Sequence, residues 1–72
     1  MREVEITSEP VELYKILKFE GMVSSGGEAK QVIAERLVRV NGKPETRKRR
    51  KIVAGDVIVF GDDMVRICLK GS

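Results

Sequence analysis

Between Lys43 and Lys51 the chain reads KPETRKRRK. Lys43, Arg47, Lys48, Arg49, Arg50 and Lys51 surround one acid, Glu45. Such a run repels itself and gains nothing from burial. Its natural chemistry is reception of a polyanion, because Lys and Arg neutralise phosphates and release counterions, and Arg adds a planar, stackable fork. The plainer alternative is a solvated loop that happens to be basic. Most other chemistry is excluded by residue type. The chain has no His and one Cys, Cys68. It therefore lacks a Ser–His or Cys–His pair, an imidazole ligand, a thiolate zinc site and an intrachain disulfide. Asp62-Asp63 reads as a pair of solvated turn formers. No phosphate-loop or dinucleotide fingerprint is present. The expectation is a binding protein with no catalytic residues, no cofactor and no metal.

A second, weaker anion signal lies in 24-SSGG-27, which opens a predicted helix. The first N–H groups of a helix and its dipole can receive a phosphate, and glycines allow close approach. Ser25, Gly26 and Gly27 are candidates on that ground, with Lys30 one turn further on. Arg39, Asn41 and Lys43 belong to a predicted hairpin, and Thr46 joins Arg47 through Lys51 in the loop. The expectation is that these pieces converge on one face.

Charge distribution supports such a face. Net charge is +3, but it divides into −3 over residues 1–29, +7 over 30–51 and −1 over 52–72. Segregation of this kind favours a polyanionic partner. Seventy-two residues make one domain, expected to span 1–72. A chain of that size buries only about 60% of its unfolded surface, too little for a deep enzyme cleft. No apolar run approaches the roughly 20 residues of a membrane span. The N-terminus carries no apolar signal-peptide core. Together with the lone cysteine, this leads us to expect a cytoplasmic protein without a membrane partner.

The elements that must carry these residues can be read from periodicity. Val4 and Ile6 alternate with polar neighbours, predicting a short strand over 2–7. Ser8-Glu9-Pro10 reads as a helix start, with Leu13, Ile16 and Leu17 at helical spacing and a stop at Glu20-Gly21. Tyr14 and Phe19 are expected in or against the core. Ser25 and Glu28 have capping-box spacing, and Ala29, Val32, Ile33 and Leu37 predict a second amphipathic helix. Val38 and Val40 flank Arg39 in a strand, and Asn41-Gly42 is a strong hairpin signal because both residues accept positive φ. Val57–Phe60 and Val65–Leu69 read as further strands. The predicted order, β-α-α-β-β-β-β, defines an α+β fold: two packed helices, then a small hairpin-rich antiparallel sheet, with a short N-terminal strand.

The segment from Leu13 to Phe60 resembles the S-four domain, the RNA-binding module named after ribosomal small-subunit protein four. That pattern has an L-x-x-x-L helix, a G-[LM] link and S-x-x-x-A-[RK]-Q-x-I. It continues as x-V-x-V-N-G and closes with V-x-x-G-D-x-I-x-V. The chain supplies Leu13 and Leu17, Gly21-Met22, Ser25, Ala29-Lys30-Gln31 and Ile33. It then supplies Val38, Val40-Asn41-Gly42, Val53, Gly55-Asp56, Ile58 and Phe60. The resemblance is closest to small stand-alone bacterial members. It implies the alpha-L RNA-binding fold, adds Gln31 to the candidate site, and makes structured RNA the expected partner, ribosomal RNA or a tRNA-bearing ribosomal complex. The chain departs from the pattern twice. Glu12-Leu13-Tyr14 stands where many members read R-L-D, and Gly26 where many have Arg. The expected contact surface therefore shifts toward the N-terminus of the second helix, Lys30, the hairpin and the basic loop. Two other readings compete. A ubiquitin-like sulfur carrier shares the V-x-V-N-G hairpin but needs a terminal Gly-Gly, whereas this sequence closes with Leu69-Lys70-Gly71-Ser72. A protein-interaction module would dock the same basic loop on an acidic partner.

Overall fold

The computed structural model describes residues 1–71. Nine elements follow one another: β1 (Arg2–Ile6), β2 (Val11–Glu12), α1 (Leu13–Phe19), α2 (Gly26–Ala34), β3 (Val38–Val40), β4 (Lys43–Pro44), β5 (Lys51–Ile52), β6 (Val57–Phe60) and β7 (Asp63–Leu69). Five strands form one sheet in the order β1-β7-β6-β3-β4, and β2 pairs with β5 in a separate two-stranded ribbon. The α+β class and the helical pair stand as read. The sheet is mixed rather than wholly antiparallel, because β1 runs parallel to β7, with Val4 opposite Ile67. Alternation locates a strand but not its partner. No hairpin ties β1 to β7, so only tertiary packing fixes that pairing.

The apolar periodicities meet in one core. Leu13, Ile16, Leu17, Val23, Ala29, Val32 and Ile33 come from the helical half. Val4, Ile6, Val38, Val40, Ile58, Val65 and Ile67 come from the five-stranded sheet, and Ile52 from the β2–β5 ribbon. Arg39, between buried Val38 and Val40, faces out.

The first helix begins later than Ser8-Glu9-Pro10 predicts. Val11 and Glu12 are extended and pair with Ile52 and Lys51, so the turn chemistry at Pro10 introduces a strand. Both helices end in a Schellman arrangement. Gly21 takes φ 71° after α1, with Met22 N–H donating to Leu17 O at 3.0 Å. After α2 the left-handed residue is Arg36, at φ 64°, and Leu37 N–H reaches Val32 O at 3.0 Å. That stop takes Leu37 off the helix and leaves it 52% exposed, against its predicted core place. Phe19, expected against the core, is 71% exposed at the last turn of α1.

Candidate nucleic-acid interface

The site is built around Glu45, which is only 7% exposed although it is an acid inside a basic run. Its backbone N–H donates to Val38 O at 2.9 Å, which extends the β3–β4 pairing and turns the side chain inward. The carboxylate then accepts from Arg47 three times: from the backbone N–H and from Nε at 3.0 Å each, and from Nη2 at 3.1 Å. Arg50 Nη1 adds a fourth bond at 2.8 Å. Burial opposes ionisation, yet the Arg47 guanidinium, then Arg50 and the Arg47 amide, hold the carboxyl down at about 2. Glu45 is thus a buried anion matched by two cations, the condition under which a buried charge is tolerated.

Above it the loop is a turn. Arg50 N–H donates to Arg47 O at 3.1 Å, so Arg47 and Arg50 close the turn while Lys48 and Arg49 occupy its corners. The loop's carbonyls also serve α1. Leu13 N–H donates to Arg50 O at 2.9 Å and Tyr14 N–H to Lys48 O at 3.1 Å. The N-cap Glu12 makes no side-chain cap; the basic loop supplies backbone acceptors to orphan N–H groups of the first turn. Arg47, Arg49, Arg50 and Lys51 line an open concavity of about 620 Å³.

Six of the predicted residues make up this loop. Exposed Thr46, Arg47, Lys48, Arg49 and Lys51, with half-buried Arg50, form the loop surface. Lys30 stands over the Tyr14 ring, its Nζ 5.1 Å from the centroid, at cation–π distance, and does not line the concavity. Half-buried Tyr14, whose spacing reads only as core, thus meets α2 with its ring and the loop with its backbone N–H. Lys43 lies exposed on β4, the strand leading into the loop.

Other predicted residues sit differently. Ser25 is the N-cap of α2 and its Oγ accepts from Glu28 N–H at 3.1 Å. Glu28 in turn accepts from the Ser24 N–H at 2.6 Å and the Ser24 hydroxyl at 2.8 Å. These bonds, the backbone one foremost, lower the Glu28 carboxyl below its ordinary value. The Glu28 carboxylate is thus engaged with Ser24, just before the N-cap of α2. The stem of Lys18 lies near Gly26 and brings a cation that the sequence pattern did not single out. Gln31 bonds Glu35 along α2 at 3.3 Å. Arg39 lies between Pro44 and Val59 on the outer sheet face.

Asn41 is engaged within the fold. At φ 54°, its Nδ2 donates to Asp56 Oδ1 at 3.0 Å and its Oδ1 accepts from Val57 N–H at 2.9 Å. Asp56 Oδ2 also accepts from Val53 N–H at 3.0 Å. The V-N-G and G-D halves of the sequence pattern thus clamp two turns together.

The comparisons with known proteins agree with this architecture. Residues 4–68 match the S4 domain. The Escherichia coli (strain K12) protein named "Putative RNA-binding protein YbcJ" is 51% identical over 57 residues, 79% of this chain and 81% of that protein. The Bacillus subtilis (strain 168) "Probable ribosome maturation protein RlbA" is 38% identical over 55 residues, 76% of this chain and 78% of that one. The solution structure of YbcJ from E. coli, described as having an alfaL motif involved in RNA-binding, superimposes with TM-score 0.72 at 45% identity. It covers 94% of this chain and 87% of its own.

Proposed function

The chain belongs to the S4 domain family, and on that premise we propose that it is a non-catalytic, cytoplasmic RNA-binding protein acting as one domain over its 72 residues. Its target is structured RNA, ribosomal RNA or a ribosomal complex carrying tRNA. One observation carries the reading. The turn Arg47–Arg50 is held on a buried carboxylate and on the start of α1, so the densest cationic stretch of the chain is an ordered surface. The names borne by the E. coli and B. subtilis relatives support RNA and ribosome maturation as its setting.

The working surface is the loop from Thr46 to Lys51, with Lys30 and Lys43 beside it. Arg39, Gln31 and the α2 start at Ser25, Gly26 and Gly27 form its margin. Asn41 shapes the hairpin beneath. Recognition is of phosphates and shape: the chain has only three aromatics, too few for a base-stacking platform. Among the described residues no helix is long and apolar enough to cross a membrane.

The test is a low-salt titration with a structured ribosomal RNA fragment and a DNA duplex of equal length. Tighter binding of RNA is expected. Equal or absent binding overturns the reading. An acidic protein partner that stays bound after ribonuclease treatment would favour a protein-docking role for the same loop.

A further inference from the structure

Glu45 stands in a place where simple electrostatics would remove it. It is the only acid between Arg36 and Gly55, and any polyanion at this loop meets its negative charge. Its burial under Arg47 and Arg50 gives it another use. A guanidinium has five N–H donors in a fixed fork. Arg47 gives Glu45 its Nε and Nη2 edge and leaves Nη1 outside that pair, on a side chain 70% exposed. Arg50 gives Nη1 and keeps Nε and Nη2. Both side chains are thereby stiffened on the wall of the concavity they share with Arg49 and Lys51.

We infer that Glu45 is a positioning residue for RNA binding: it sets the Arg47 and Arg50 forks in the orientation in which they meet adjacent phosphates. The inference rests on the RNA-binding reading above. Affinity follows from it as preorganisation, since a held arginine loses less freedom on binding than a free one.

Charge and positioning predict opposite signs, which makes the test decisive. Glu45→Gln removes a negative charge from the surface, so charge alone predicts tighter RNA binding. Positioning predicts weaker binding, by about fivefold or more at fixed salt. Glu12→Gln is the control. Glu12 lies 3.2 Å from Lys15 and 3.9 Å from Arg49 and holds neither fork, so its loss leaves affinity unchanged or raises it. Weaker binding by E45Q together with unchanged or tighter binding by E12Q supports the role. E45Q binding as well as wild type, or better, overturns it.

If E45Q does not fold, NMR of the wild-type chain keeps the question open to test. The Arg47 Nε–H should exchange more slowly than those of Arg36 and Arg39 and resonate apart from them. Coalescence with those exposed arginines overturns the inference. Failure of wild type to bind RNA would instead overturn the function itself.

Discussion

At the scale of single residues, the burial of Glu45 decides how the basic run behaves. Five consecutive cations, 47–51, would spread apart in water, and one carboxylate beneath two of them offsets part of that repulsion. The same geometry fixes a pH dependence. The folded carboxyl sits at about 2 against an ordinary 4.5. The depressed value means that its stabilisation is complete above about pH 4.5 and disappears as pH falls toward 2. The shift is worth at most about 3 kcal/mol, less because Arg47 faces solvent and its charge is screened. Urea unfolding at pH 5 and at pH 2.5 should show wild type losing more stability on acidification than E45Q. Glu3 and Glu28, also lowered, contribute equally to both proteins and cancel. Identical losses would remove Glu45 from the account. The sequence places this acid among cations but does not reveal its burial, which depends on β4 pairing with β3 and on the loop closing over it.

At the scale of elements, the hairpin turn and the turn before β6 act as one unit through Asn41 and Asp56. Asn41→Ala loses two side-chain hydrogen bonds and the residue type that best tolerates the left-handed turn after glycine. A cost of about 1–3 kcal/mol in urea unfolding is expected. RNA affinity below the unfolding transition should change less than about twofold, because Asn41 shapes the hairpin and carries no charge to the phosphates. A large affinity loss at unchanged stability would place Asn41 in direct contact instead. Much of this scale is legible beforehand. Capping-box spacing gives the start of α2, and Asn41-Gly42 gives the hairpin. The start of α1 is not legible, because its first N–H groups are satisfied by carbonyls of Lys48 and Arg50, more than thirty residues away in sequence. Nor is the β2–β5 ribbon, whose two-residue strands carry no alternation.

At the scale of the whole molecule, charge segregation and fold meet. Folding brings together segments that the sequence separates: α1 through Leu13 and Tyr14, α2 through Lys30, and the loop through its turn. Alternation and helical spacing anticipate most of the side chains that enter the core, but they place Leu37 and Phe19 there and do not give Val23 or Ile52. They do not give the parallel β1–β7 pair that closes the sheet. Binding of RNA by the basic loop is tested most directly by fluorescence anisotropy against a structured ribosomal RNA fragment from about 50 to 200 mM salt. Wild type is compared with a variant in which Arg47, Lys48, Arg49, Arg50 and Lys51 are all Ser. Because Ser at 47 and 50 leaves the buried Glu45 carboxylate without its cations, the same variant carries Glu45→Gln, and its far-UV circular dichroism is compared with wild type to establish that it folds. With about five phosphates neutralised, wild-type affinity should fall roughly a hundredfold across the range, while the Ser variant binds weakly with a shallow slope. Equal affinity and slope in the two proteins, or no binding by wild type at the lowest salt, would contradict it.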